Sequence, residues 1–391
     1  MHTMKKSISI VSSIILICFG FSELQAKTPQ NYPEFSWDQV PLYMHMRKSL
    51  AFTPEELTYI ATFPIVTLEK TTGSKTYGST EKGSLEAAKA IKALNPKTKI
   101  LYYRNIMVHY GGYDVNESMD AIDNPLLMNS KGETKLIHGK KRGAYDLSNP
   151  ALRQWWIDDC VKMGRSEGID GLFIDGNIKA LEPAFLSGII GNEKKEKVAI
   201  GYGQTMKELD ERLGDDKIIV ANLIRARLTN SGLDYINYVD GSYIEGFEHE
   251  ANGYSKKDYV ARGIEAIQTA ARDGKIICFS IGLGEANTVG LGIDDTRKKV
   301  GNVSLLQERL NYTLSMFLIF AEKYSYFYAH DGYSVNGHDS SVWLKSFPEY
   351  KKPLGAPKGP AQKEGYIYTR EFQHASVWLD IENEKAKIEW R

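Results

Sequence analysis

Eight short apolar runs alternate with helical segments along this chain, and that alternation limits its fold more than any other feature. The runs are VPLYMHM (40–46), PIVTLEK (64–70), KILYYRN (99–105), GLFIDGN (171–177), KIIVANLIR (217–225), GSYIEGF (241–247), KIICFSIG (275–282) and YSYFYAHD (324–331). Continuous apolar runs between turn residues read as strands buried on both faces, as in a parallel sheet covered by helices. Between them, SLEAAKAIKALNP carries an apolar stripe at Leu85, Ala88, Ile91 and Leu94 and stops at Pro96. A helix that starts at NPALRQWW has Asn149 as its N-cap and Pro150 in its first turn, with Gly168 placed to end it. YGQTMKELDERLG, DYVARGIEAIQTAARDG and LLQERLNYTLSMFLIFAEK are further helices, the last apolar nearly all round. Strands alternating with helices predict an α/β fold with a parallel sheet, and eight such units predict a (β/α)8 TIM barrel. The competing fold, an open doubly wound sheet, carries a Gly-rich phosphate loop after its first strand. Here that position reads MHMRKSLAFTPEEL, with no glycine.

The two ends of the chain differ from its middle. MHTMKKS is a basic start, ISIVSSIILICFGF is an apolar core, and a small-residue cut follows at Ala26. This predicts a signal peptide over 1–26 and export to the periplasm or the exterior of a bacterial cell. The apolar core is too short to span a membrane. Ile17 is bulky where a lipid-anchor signal has a small residue, which disfavours an anchor at Cys18. The barrel is expected over 27–346. In 347–391, the connector FPEYKKPLGAPKGPAQKEG leads to YIYTREF, ASVWLDI and KAKIEW. Three short strands are too few to fold alone, so they are expected to pack on the barrel as a small antiparallel β appendage. Lys+Arg 49 balances Asp+Glu 49, which leaves no general basic surface for nucleic acid. Cys160 and Cys278 read as buried thiols, and no cofactor signature is visible. No internal repeat stands out.

A barrel of this kind presents its chemistry at the C-terminal ends of its strands. The residues delivered there are His45 and Arg47; Glu69 and Lys70; Arg104, Asn105 and His109; Asp175 and Asn177; Asn222, Arg225 and Arg227; Glu245 and Glu248; Glu285 and Asn287; His330 and Asp331. Asp175 and Glu245 stand out, because each follows an apolar run and precedes glycine (FIDG, YIEG). Glycoside hydrolysis needs two carboxyl groups astride the scissile bond, one as proton donor and one as nucleophile or base. Strands four and six are close enough in a barrel for such a pair. Asp170, at the opposite end of the fourth strand, is expected to hold a turn. Glu248, His249 and Glu250 are adjacent and point different ways, so no metal site is expected. The cations Arg47, Lys70, Arg104, Arg225 and Arg227, with His45, His109 and His330 nearby, suggest an anionic sugar as one option for the substrate. A non-catalytic carbohydrate-binding barrel is the alternative, as is a polysaccharide lyase using Arg104, His109 and Arg225.

At YDLSNPALRQWW and EGIDGLFIDG the chain resembles a known class. It is similar to hypothetical glycosyl-hydrolase family fifteen, a set of bacterial glycoside-hydrolase-like barrels, and more distantly to the endo-α-1,4-polygalactosaminidases. The shared features are an Asp-x-Ser-x-Pro lead-in to a helix (Asp146, Ser148, Pro150) and a Gly-x-Asp-Gly strand (Gly168, Asp170, Gly171) closing on Asp175. A later strand carries an acid, Glu245, and an LG-x-P segment precedes an Arg-Phe strand in the tail. The resemblance implies a barrel hydrolase in which Asp175 is the nucleophile and Glu245 the proton donor, with a retaining mechanism ahead of an inverting one. It also implies that Asp146 reaches a sugar hydroxyl. With His45, Lys70, Arg104, His109, Asn177, Asn222, Arg225, Glu248, His330 and Asp331, that residue completes the expected substrate-binding set.

Overall fold

The structure, a computed structural model, describes residues 31–129, 131–134, 136–137, 141–248, 253–283, 303–330, 332–335, 343–344 and 346–391. The expected signal segment with Cys18, and Asp331, His249, Glu250, Glu285 and Asn287, lie outside the described residues. The eight apolar runs form eight parallel strands: β1 (Met44–Lys48), β2 (Ile65–Leu68), β3 (Lys99–Asn105), β4 (Gly171–Asp175), β5 (Ile218–Asn222), β6 (Gly241–Ile244), β7 (Ile276–Gly282) and β8 (Ser325–His330). Each pairs with its neighbour in chain order. The ring closes where Leu42, just before β1, bridges Phe327 of β8. There the Tyr43 amide donates to the Phe327 carbonyl at 2.9 Å, and the Phe327 amide donates to Pro41 at 2.8 Å.

Helices α1 (Pro54–Ile60), α2 (Thr80–Leu94), α3 (Pro150–Gly164), α4 (Asn192–Leu213), α5 (Lys256–Arg272) and α6 (Val303–Phe320) carry most of the crossovers. Between β5 and β6 a 3₁₀ segment, Thr229–Tyr238, replaces an α-helix, broken by left-handed backbone at Asn230, Ser231 and Gly232. α3 starts as its sequence implies, with the Asn149 side chain accepting from the amides of Ala151 and Leu152. It ends earlier than expected, at Gly164, and Gly168 (φ +83°) instead makes the turn beyond it.

Aromatic rings fill the barrel, so its interior is a packed core. His45 stacks on Tyr243 at 5.0 Å, Phe173 meets both rings edge-on, and Tyr103 stacks on Phe173 at 5.7 Å. Residues 32–37 cross the N-terminal end, where the Tyr326 hydroxyl donates to the carbonyls of Pro33 and Glu34.

The tail forms an antiparallel sheet of four strands, β9 (Gln362–Glu364), β10 (Ile367–Glu371), β11 (Ala375–Asp380) and β12 (Lys385–Trp390). Tyr368 and Arg370 are its inward residues on β10. The Arg370 guanidinium donates to the carbonyls of Leu318, Ile319 and Ala321, the unsatisfied C-terminus of α6, and pairs with Glu322. An inward arginine is why this strand's alternation is weak in the sequence. Among the described residues, no helix is long and apolar enough to cross a membrane.

Candidate active site

Strands β4 and β6 carry the same eight-residue pattern, which the sequence reading passed over: Ile169-Asp170-Gly171-Leu172-Phe173-Ile174-Asp175-Gly176 and Val239-Asp240-Gly241-Ser242-Tyr243-Ile244-Glu245-Gly246. Five of its positions have the same role in both copies. At the N-terminal rim the aspartate accepts a backbone amide from a flanking strand. Ile100 donates to Asp170 and Ile219 to Asp240, each at 2.8 Å. The next glycine touches the flanking strand so closely that a Cβ would lie 2.0 Å (Gly171) or 2.3 Å (Gly241) from a carbonyl oxygen. The aromatic at the fifth position faces the lumen. The acid follows at the C-terminal rim, and then a glycine with positive φ. Asp170 thus ties two strands together, with Lys92 at 2.7 Å, rather than holding a turn.

The two rim acids converge. Asn222 Nδ2, at the end of β5, lies 3.2 Å from Asp175 Oδ1 and 2.8 Å from Glu245 Oε1. The two oxygens therefore lie within about 6 Å of each other, a separation on the scale that carboxylate pairs use in glycoside hydrolysis. The amide's orientation is settled by chemistry, since only its NH₂ side can face two carboxylates. Asp175 Oδ2 accepts from the Tyr103 hydroxyl (2.7 Å) and Asn105 Nδ2 (3.1 Å), and its Oδ1 accepts from the Gly176 amide (2.7 Å). Burial pushes this carboxyl up, but Lys179, Lys70, the Tyr103 hydroxyl and the Gly176 amide outweigh it and hold its pKa at about 2. Arg225 Nη2 donates to Glu245 Oε1 at 3.1 Å. Asn222 and Arg225 thus both reach Glu245 through Oε1.

A third acid, Glu69, lies at the end of β2. Lys70 Nζ is 2.8 Å from both of its oxygens, and His45 Nε2 is 3.5 Å from one. Burial opposes its charge, yet Lys70, His45 and Arg47 hold its carboxyl below the usual value. His45 is otherwise enclosed, bonded through Nδ1 to the Tyr43 hydroxyl at 2.9 Å.

The remaining expected binding residues divide sharply. Arg104 leaves the site altogether. Tyr103 and Asn105 point into the barrel at Asp175, so the alternating strand sends Arg104 outward, where it pairs with Asp159 of α3 at 3.0 Å and lies over the Tyr113 ring. Asp146 is held by Ser148 and by Lys194 of α4 at 2.5 Å, the lead-in to α3. Asn177 is buried and bonded to the carbonyls of Ile174 and Asn222 and to the Tyr202 hydroxyl, so it joins β4 to β5. The Glu248 side chain is buried and gripped by both terminal nitrogens of Arg309 on α6. Arg227 pairs with Glu182 at 3.4 Å and His109 bonds Tyr145 at 3.0 Å. His330 stacks on Tyr328, with Nε2 3.2 Å from Ser280. Of the direct partners of Asp175, Asn105 was expected at the rim but not in the binding set, and Tyr103 was not expected at all. Among the described residues, no group of three or more His, Cys, Asp or Glu is placed to hold a metal ion.

The profile of hypothetical glycosyl hydrolase family 15 matches residues 92–376, most of the barrel and part of the tail. The chain belongs to that family. No curated protein matches it. Among solved structures, a GH36 α-galactosidase from Geobacillus stearothermophilus is similar at 10% identity and a TM-score of 0.50, covering 88% of this chain and 47% of that one. The α-L-fucosidase isoenzyme 2 of Paenibacillus thiaminolyticus is 13% identical, with a TM-score of 0.48 over 80% of this chain and 48% of that one. A GH31 family sulfoquinovosidase from E. rectale is 16% identical, with a TM-score of 0.46 over 78% and 45%. This chain spans about half the length of these structures. At these identities the likeness is one of fold.

Proposed function

We propose that this protein hydrolyses a glycosidic bond of a poly- or oligosaccharide, with Asp175 as nucleophile and Glu245 as general acid and base. One observation carries the reading: a single amide, Asn222, bridges two rim carboxylates whose oxygens are within about 6 Å. That limit is below the ~6.5–9.5 Å that leaves room for an inverting water, which supports retention. Glu245 gives its proton to the leaving oxygen while an Asp175 oxygen attacks the anomeric carbon, forming a glycosyl ester. Glu245 then takes a proton from water, the water oxygen attacks the same carbon, and Asp175 leaves as carboxylate. The low pKa of Asp175 suits a group that must be ionised before attack.

Lys70, Arg225 and Arg227 each pair with an acid and Arg104 faces away, which removes most of the motive for an anionic sugar. The lyase alternative loses support in the same way, because Arg104 and His109 meet at Tyr145 while Arg225 is paired with Glu245. The test is release of reducing ends from a panel of neutral, charged and galactosamine-containing polysaccharides. Asp175→Asn and Glu245→Gln should lower turnover by roughly 10³-fold or more with little change in melting temperature. A variant that keeps more than about a tenth of the rate removes that residue from the mechanism. An unsaturated, ultraviolet-absorbing product would point to a lyase instead.

A further inference from the structure

Lys70 is a cation at the mouth that has no freedom to meet a substrate. It follows β2, and its side chain is 10% exposed. Its ammonium is clamped by both oxygens of Glu69 at 2.8 Å. It lies 4.6 Å from the centre of the Tyr103 ring and 5.1 Å from that of Tyr110. Glu69 is anchored in turn by His45, which is fixed against Tyr43 and Tyr243. Tyr103 gives its hydroxyl proton to Asp175 Oδ2 at 2.7 Å, while Asn105 Nδ2 lies 3.1 Å from both the Tyr103 oxygen and Asp175 Oδ2. The direction of each bond is set, since Asn105 Nδ2 can only donate and a carboxylate can only accept.

We propose that Lys70 is a positioning residue for Asp175: held by Glu69 against the face of Tyr103, its ammonium strengthens the hydrogen bond that Tyr103 gives to the nucleophile. A cation over an aromatic face draws on the ring's electrons. A phenol so depleted is a better proton donor, and neighbouring hydrogen bonds polarise one another in a dry interior. A phenolic O–H on a carboxylate is already among the strong hydrogen bonds of proteins. The cation therefore acts on Asp175 both across space and through the Tyr103 hydroxyl. This rests on the reading of Asp175 as nucleophile.

The charged and titratable groups around Asp175 are Lys70 and Glu69 after β2, Tyr103 on β3, Tyr110 in the loop that follows, Lys179 after β4, Arg225 after β5 and Glu245 after β6. His45 and Arg47 of β1 act on Glu69, and Arg47 also on Tyr110. Lys179 and Lys70 both favour the charged carboxylate, and Lys70 is the one that also lies over Tyr103.

The test follows the Asp175 carboxyl by NMR in the full chain labelled with ¹³C-aspartate, its signal identified by loss in Asp175→Asn. No substrate is needed. The titration thus stands apart from the nucleophile assignment, which the turnover of Asp175→Asn decides. Lys70→Met should raise the titration midpoint by about one pH unit, as expected for loss of a close cation. Glu69→Gln, which removes a negative neighbour, should move it the opposite way, and Lys70→Arg should stay near wild type. Tyr103→Phe should raise it, and Lys70→Met with Tyr103→Phe should raise it by less than the sum of the two single changes. If Lys70→Met fails to fold because Glu69 is left unpaired, Glu69→Gln/Lys70→Met removes both charges and should titrate above Glu69→Gln alone. An unmoved midpoint in either Lys70 comparison, or full additivity with Tyr103→Phe, would overturn the proposal.

Discussion

The two ends of β4 and β6 carry the same kind of residue and treat it in opposite ways. At the N-terminal rim, Asp170 and Asp240 accept backbone amides from flanking strands. At the C-terminal rim, Asp175 and Glu245 are held mainly by side chains from other strands, Tyr103, Asn105, Asn222 and Arg225, and the one backbone amide on Asp175 comes from the adjacent Gly176. A cross-strand backbone amide is available wherever two strands meet, so an acid that takes one ties the sheet together. Side-chain donors converge only where several strands each contribute a chosen residue. Electrostatics follow the same division. Burial pushes the Asp240 carboxyl up against the pull of the Ile219 amide and Lys275, while at Asp175 two lysines, the Tyr103 hydroxyl and the Gly176 amide outweigh burial and hold it at about 2. Partner type thus distinguishes the two rims: cross-strand amides at one, side chains contributed by several strands at the other.

Arg104 is the hardest test of that distinction, because it occupies the C-terminal rim and yet serves the fold. Arg104→Ala leaves Asp159 buried without its partner and should cost about 3–5 kcal/mol in chemical denaturation. Binding of charged and neutral oligosaccharides should not diverge in this variant. A selective loss of charged ligands would return Arg104 to the site and break the comparison. Asn222→Ala should sharpen it. Removing the one amide that spans both rim acids should lower kcat by on the order of 10²-fold, while denaturation midpoints move little. A stability loss with intact turnover would make Asn222 another sheet tie. The smallest effect is expected at the opposite rim. Asp170→Asn and Asp240→Asn should each cost roughly 1 kcal/mol, with turnover of the folded fraction close to wild type. Lost turnover at unchanged stability in either variant would erase the difference between the two rims.

How much of this was legible before the structure varies by residue. Glu245 and Asp175 were readable because a short apolar run ending in acid-glycine can only deliver that acid to a rim. The repeated octapeptide was equally present in the letters, but its meaning at Asp240 needs the cross-strand amide of Ile219 to be seen. Glu248, Asn177 and Asp146 fell at the right end of the barrel and were read as binding residues. Their partners Arg309, Tyr202 and Lys194 come from helices far along the chain, and nothing local announces them.

The sequence by itself determined the eight strands, their order, the barrel and the two rim acids, because turn residues and the alternation of strand and helix are covalent facts of the chain. Only the tertiary structure decided which neighbours of those acids face the lumen. A run such as KILYYRN is buried on both faces, so its pattern carries no phase. The register of β3 against β4 sets Asn105 opposite Asp175 and sends Arg104 outward to Asp159. The meeting of Asp175, Asn222 and Glu245 across three strands was decided in the same way, by hydrogen bonds between residues that the chain itself keeps far apart.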